Sequence, residues 1–468
     1  MSVGAAAAVP SARAWRARVR RGRRAHHERS LGDALTDLYM LLWMAVVYGG
    51  ALVASIHRHL QEPSRFLGAT AERYWIGVAV LLAAAGLAWR GLRAVGPLLA
   101  TAAEQAWGIS TPIDRRAWLL PRFTWIALAS GLATALLAFA VAVLGLHSHA
   151  LGWVALGGGV WGVAGVAASV VAQGVGERRG WPRLPGAVLL GLGGLTAAVV
   201  VVSHYTGGGL PRPMLPPGRA FLGVGIVAAV ASAVLAFRAL PRLDLVSLGS
   251  GAQLAAAAAT ATIGMDPSVL SGVLEVRRWR RVGKVRSRPF RSILPGRISV
   301  LLQAELRRQV RRPGALGAWA ALGLVQYAVA IVAPAAAGVV HVVIAYLATN
   351  RLTGGLRTLS RSPGLRRALG GDETRVRLTH LVVPTLGLAA WWVMTWPAGG
   401  AHVPFADLLI TLCVVAAAYR AATKPPMSYG GAVMETPLGL FPIELVVQLA
   451  RGPDLLAVAI LIHAVAIH

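Results

Sequence analysis

Acidic residues are scarce in this chain. Against 46 Lys and Arg stand only 18 Asp and Glu, and charged residues of both signs fill just 14% of the 468 positions. A soluble domain averages roughly a quarter charged residues, so much of this surface must face something other than water. Cysteine is scarcer still. Cys413 stands alone inside an apolar run, which excludes an intrachain disulfide, a CxxC redox motif and a cysteine-built metal centre, and reads as a small packed hydrophobe. No GxxxxGK[ST] motif occurs and no glycine-rich loop precedes Lys284, so the chain has no P-loop with which to hydrolyse a nucleotide. Ionisable residues inside the apolar runs are few: His341 and Asp407, with Asp33 and Asp37 at the start of the first run. An ion-coupled carrier needs titratable or cation-coordinating groups near the midplane, so this scarcity argues against one. No cofactor motif is present and no metal site is expected.

What the chain does have is grease in long pieces. Hydrophobic residues make up 56% of it, and its mean hydropathy is +0.62. At about 20 apolar residues per crossing, the first half predicts spans near 35–56, 74–95, 123–146, 150–173, 185–204 and 219–240, and the second half spans near 314–333, 335–350, 378–396 and 404–420. Leu438–Ala450, interrupted by Pro442 and Glu444, reads as an interfacial or re-entrant segment, and Leu455–Ile467 as a last span. The expected fold is an all-α polytopic transmembrane bundle of about 11 spans, range about 10–12. The apolar run after the basic N-terminal tail starts too late, runs too long and lacks a small-residue cleavage site for a signal peptide.

The net charge of +28 is confined to short segments between these runs, unlike the spread basic face of a soluble nucleic-acid binder, so no nucleic-acid partner is expected. Arg277–Arg312 alone holds thirteen Lys/Arg and one acid, residues 1–30 hold eight arginines, and 351–377 hold seven. Lys/Arg counts alternate high and low at successive crossings, which places the N-terminus and the basic loops in the cytoplasm of a bacterial inner membrane, against anionic lipid. The chain then divides into a basic tail (1–34), a first transmembrane half (35–245), a cytoplasmic connector (246–312) and a second half (313–468). Within the connector, 252–263 is too short and small-residued to cross alone. Asp266-Pro267-Ser268 marks a helix start, and Ile298–Arg312 reads as a basic amphipathic helix in the interface plane.

Two cytoplasmic loops share a pattern. GLRAV (Gly91–Val95) precedes STPIDRRAWL (Ser110–Leu119), and GLRTL (Gly355–Leu359) precedes RSPGLRRAL (Arg361–Leu369). Both contain Ser/Thr-Pro-x-x-Arg-Arg-Ala. Pro112 and Pro363 suit the first turn of a helix, while Thr111 and Ser362 can cap it. A short helix held between spans, with Arg115 and Arg116 or Arg366 and Arg367 at its exposed end, could carry a push from a partner into the membrane. The alternative is that these four arginines are ordinary positive-inside residues on lipid phosphate.

This layout resembles the membrane subunits of ABC-2-type exporters. STPIDRRAWLLPRF (Ser110–Phe123), DPSVLSGVLEVRRWRRVGKVRSR (Asp266–Arg288) and METPLGLFPIELVVQLARGPDLL (Met434–Leu456) are more closely similar to a group of uncharacterised actinobacterial multi-span proteins. The resemblance implies two fused permease halves, a separate ABC ATPase subunit as partner, and an amphipathic or lipid-like cargo. It implies no catalytic residue in this chain. Two other classes stay open: an enzyme acting on lipid-linked substrates, to which His57, His59, His147, His149, His204 and His402 on predicted outer loops could contribute, and a non-catalytic scaffold. His341 is a candidate for lining a pathway. Gly158-xxx-Gly162 and Gly191, Gly193 and Gly194 permit close helix approach.

Overall fold

The computed structural model describes residues 70–100, 104–106, 114–145, 151–175, 184–211, 218–263, 296–370, 372–400, 403–425 and 451–467, with two short strands at 433–436 and 439–442 and a few isolated positions. The expected first span (35–56), the basic segment 277–295, most of the helix expected from Asp266, Asp33 and Asp37, and all the outer-loop histidines except His204 lie outside these residues. The fold is an all-α bundle. Nine helices among the described residues are long and apolar enough to cross a membrane, and Pro453–Ala466 is a shorter apolar one. The protein is a multi-pass membrane protein. By contacts the chain separates into two compact units, Met1–Glu275 and Val276–His468, a division that falls inside the connector expected at 246–312.

The first unit holds α1 (Thr70–Val95), α2 (Arg115–Gly145), α3 (Leu151–Val175), α4 (Leu184–Thr206), α5 (Gly218–Ala239) and α6 (Leu245–Ile263). α2 packs along α3, α3 against α5, and α1 against α4. Cross-links at both ends show α1 running parallel to α3 and antiparallel to α4. Arg93 at the end of α1 donates to Ala172 O at the end of α3 (2.7 Å), while Glu72 at the start of α1 meets His204 Nδ1 at the end of α4 (3.0 Å). The buried core, including Leu98, Leu119, Phe123, Val166, Val170, Leu240 and Leu248, gathers at the arginine-rich ends of the helices. Farther along, Leu128, Leu132, Leu192, Leu195, Val224 and Val227 are exposed, as expected where lipid replaces protein as the apolar neighbour. Small residues set the close contacts. A Cβ on Gly162 would overlap Thr134 Oγ1 and come within 2.9 Å of Ser130 O, and one on Gly193 would sit 2.9 Å from Ala79 O. Gly191 and Gly194 meet nothing within 4 Å, so of that triplet only Gly193 faces a neighbour.

The second unit holds α7 (Arg297–Val310), α8 (Pro313–Val332), α9 (Ala337–Leu352), α10 (Gly354–Arg361), α11 (Pro363–Leu369), α12 (Glu373–Thr395), α13 (Pro404–Ala422), the antiparallel strands β1 (Val433–Thr436) and β2 (Gly439–Pro442), and α14 (Pro453–Ile467). α9 is its axis. Half of that span is buried, and it touches α8, α12, α13 and α14. Its core is Val342, Ile344, Tyr346, Leu388, Trp391, Trp392, Ile410 and Val414. Strand β2 falls in the stretch Leu438–Ala450 expected to be interfacial or re-entrant, and β1 precedes it. In the first unit, α6 absorbs the 252–263 run into a helix of 19 residues, which packs on α1.

Candidate functional site

The site is the arginine-rich end of the second unit, and it is assembled around two short helices. α10 buries Leu356 and Leu359, three residues apart and so on one face, and leaves Thr358 and Arg361 exposed. Pro363 then pushes the preceding residue out of the helical region. Ser362 is extended (φ −116°, ψ 94°), and its Oγ accepts from Leu365 N (3.3 Å). With Pro363 at the first turn, α11 has both the cap and the start expected of it. Gly370, at φ +63°, ends it by donating its N–H to the carbonyls of Arg366 and Arg367 (both 3.1 Å), the usual glycine C-terminus.

Two neighbours, Glu373 and Arg297, hold this elbow. Arg366 Nη1 donates to Glu373 Oε1 at the start of α12 (2.7 Å), and Arg377 Nη2 donates to the same oxygen (2.5 Å). Asp372 caps α12 through Thr374 N (3.0 Å). The Arg297 guanidinium on α7 donates to the carbonyls of Leu369 and Gly370. Arg367 stays exposed on the rim of a cavity of about 400 Å³ that Arg366, Pro363, Gly370 and Glu373 also line.

Beneath the elbow lies a buried carboxylate. Glu305 of α7 is 2% exposed. It accepts from His380 Nδ1 (3.1 Å) and Gln309 Nε2 (3.1 Å), and lies 3.5 Å from Arg308 Nη1. A Cβ on Gly355 would collide with it, so only glycine lets α10 start here. Gln309 also donates to Leu352 O at the end of α9 (2.8 Å). α7 is thus riveted to α9, α10 and α12 through polar groups, while Leu306 and Val310 on another face are exposed, as an interfacial helix requires.

In the first unit the matching loop is built differently. Thr111 and Pro112 lie outside the described residues. Arg115 and Arg116 open α2, a helix of 31 residues that runs through Pro121 without a break. The expected short helix, separate from the span and with the paired arginines at its exposed end, is therefore corrected here: the arginines are the first turn of the span itself. Asp114 Oδ1 accepts from Arg116 N (2.9 Å), and the Arg116 guanidinium sits 4.4 Å from the centroid of Phe237. Nearby, Arg122 forms a fork onto Glu104 (3.1 and 2.5 Å) and reaches Leu99 O (3.0 Å).

His341 is buried on α9. Its ring stacks on Trp392 (centroids 4.5 Å apart) and meets the edge of Trp391. Its Nε2 lies 3.2 Å from Thr395 Oγ1, a hydroxyl that also lies 2.8 Å from Trp391 O. Two indoles and a hydroxyl give it a packed setting. Glu305 and Glu104 were not singled out from sequence, although Glu305 is the one acid in the Arg277–Arg312 block. That isolation is the signal. Among the described residues no three His, Cys, Asp or Glu gather to hold a metal; His204 has a carboxylate neighbour, Glu72, but no third partner of that kind.

Compared with known families, the chain matches DUF6297, a family of unknown function, over residues 67–432. It belongs to that family. The match covers both units, from α1 to the residues just before β1. No curated protein and no solved structure matches it.

Proposed function

We propose that this DUF6297 protein is the membrane-spanning permease of an ABC-type exporter, coupled to a separately encoded ATPase and moving an amphipathic or lipid-like substrate. The observation that carries the reading is the α10–α11 elbow. A seven-residue helix, capped at both ends and bolted to the first turn of α12, presents Arg367 outward. A load on such a helix passes to a span through Glu373 and not through a slack loop. The exposed Leu and Val of the spans and the scarcity of polar groups in them fit an apolar cargo. On this reading the arginine-rich ends face the cytoplasm of the inner membrane.

The experiment is reconstitution with a separately encoded P-loop ATPase subunit that co-purifies with the chain. The complex hydrolyses ATP in a substrate-stimulated manner, the isolated chain does not, and Arg366→Glu/Arg367→Glu abolishes stimulation while leaving the membrane chain folded. Full stimulation in that variant removes the elbow from the coupling path; turnover by the isolated chain removes the permease reading altogether.

A further inference from the structure

α9, α10, the end of α13 and the start of α14 bring cations to one place in the second unit. Gly452 sets the approach. Its φ of +111° suits glycine alone, and a Cβ there would stand 3.1 Å from Ala417 O and 3.4 Å from the Tyr346 hydroxyl. The start of α14 therefore presses against α13 and α9. Around it gather Arg357 of α10, Arg420 of α13, Lys424 just past α13, and Arg451 just before α14. Arg357, Lys424 and Arg451 are all partly buried. Burial lowers the pKa of Lys424; Arg451 lowers it further, Asp454 opposes, and Arg357 adds to the fall. Burial likewise lowers the pKa of Arg357, with the guanidiniums of Arg361 and Arg351 adding to it. Asp454 is the acid within this group, and both its oxygens are taken. Oδ2 accepts from Arg420 Nη2 (2.8 Å), and Oδ1 accepts from Gly452 N (2.9 Å) and Leu455 N (2.8 Å). Arg357 Nη2 has neutral acceptors, Asn350 Oδ1 (2.9 Å) and Thr353 Oγ1 (3.4 Å). Arg451 Nε is buried and meets no acceptor among the described residues. Partly buried cations without a carboxylate of their own are costly to hold.

We infer that Lys424, Arg451, Arg357 and the Tyr346 hydroxyl together bind a phosphate oxyanion. An ammonium, two guanidiniums and a phenol offer donors from several directions, which suits the tetrahedral oxygens of a phosphate better than a planar carboxylate. A phospholipid headgroup and a soluble phosphate share that chemistry. Depth favours the lipid: α13 ends at Ala422 and α14 starts at Pro453, so Lys424 and Arg451 flank apolar helices at the level where headgroups lie, as in basic pockets between spans that hold anionic lipid. The site does not depend on the ATPase reading.

The test uses the full chain in nanodiscs of phosphatidylcholine, alone or doped with phosphatidylglycerol, and separately titrated with inorganic phosphate. Lipid retention in native mass spectra and the thermal unfolding midpoint are the readouts. The native chain retains phosphatidylglycerol and gains midpoint from it. Lys424→Gln/Arg451→Gln weakens retention at least about tenfold, as expected for two lost charge-assisted hydrogen bonds. Lys424→Arg keeps it, and Arg375→Gln, an exposed arginine on α12, leaves it unchanged. If the double variant fails to fold, Lys424→Gln and Tyr346→Phe, each removing one donor, give smaller losses and decide the matter. The same ordering of midpoints with inorganic phosphate, and none with phosphatidylglycerol, supports the site with a soluble ligand. Responses to both probes that are equal in the native chain and the cluster variants, or lost equally in Arg375→Gln, overturn it.

Discussion

Glu305 on α7 and His380 on α12 lie 75 residues apart in sequence and 3.1 Å apart in space, and both are nearly closed off from solvent. Their contact ties the interfacial helix to a span. Removing one partner of a buried hydrogen bond leaves the other unsatisfied, at about 1–3 kcal/mol. Glu305→Ala should therefore sharply lower the unfolding midpoint in detergent. Glu305→Ala/His380→Ala should cost less than the sum of the single changes, by more than about 0.5 kcal/mol. Strict additivity in this cycle would show that the pair does not interact.

The two arginine pairs should not be equivalent. Arg116 is committed to the Phe237 ring and Arg115 begins a span, whereas Arg366 and Arg367 sit on a separate helix. Arg115→Glu/Arg116→Glu should chiefly lower stability, and Arg366→Glu/Arg367→Glu chiefly partner coupling. Measuring thermal midpoint and ATPase stimulation on both variants checks the assignment, which an exchange of these phenotypes would reverse.

Ser362→Ala removes the cap of α11 and should cost about 0.5–2 kcal/mol locally. Because the helix has only seven residues, protection of its amides from hydrogen exchange should fall while that of α12 is kept. Equal loss across both helices would mean that the elbow has no independent stability.

Gly162→Val should destabilise the first unit by about 1–3 kcal/mol through overpacking, since its side chain enters the space held by Thr134 and Ser130. Gly165→Ala, with open space around it, is the control and should be neutral within about 0.5 kcal/mol.

Lys424, just past α13, has its pKa lowered by burial first and then by Arg451 and Arg357, with Asp454 opposing. The unfolded chain therefore binds the proton more tightly than the folded one. Stability should rise with pH between the lowered folded value and the ordinary lysine value of about 10.4. Lys424→Met should flatten this rise in a pH series of unfolding midpoints; an unchanged slope would exclude Lys424 as its source.

The spans were legible because a membrane leaves little choice: once about 20 apolar residues stand in a row, the backbone must bond to itself. Their ends were less so. The stretch before 123 looks like loop because it holds Arg115, Arg116 and Pro121, yet α2 includes all three. Pro121 is the seventh residue of α2, past the turn whose donors are unpaired, so it removes one internal hydrogen bond and the helix continues through it at that cost, while arginines extend a helix readily at a polar boundary. The start of α11 was legible because Pro363 fixes a backbone angle suited to a first turn and Ser362 can cap it; its end at Gly370 was not read. The rivets were not. Glu305 with His380 and Gln309 with Leu352 join residues 43 to 75 positions apart, and nothing local in a sequence specifies such a pairing. The apparent repeat misled for the same reason: similar strings of arginine and proline acquire different structures when one is continuous with a span and the other is closed by a glycine.

Gln173 joins three pieces of the first unit by itself. Its amide accepts from Leu98 N (3.3 Å) and donates to Leu98 O (3.1 Å) and Ser247 O (3.4 Å). A clasp made of neutral dipoles is indifferent to ionic strength, and it neither gains nor loses a proton over the physiological range. Rinsing the protein with salt should therefore loosen the ion pairs on Glu373 in the second unit, and the Arg122–Glu104 fork of the first, well before this knot lets go.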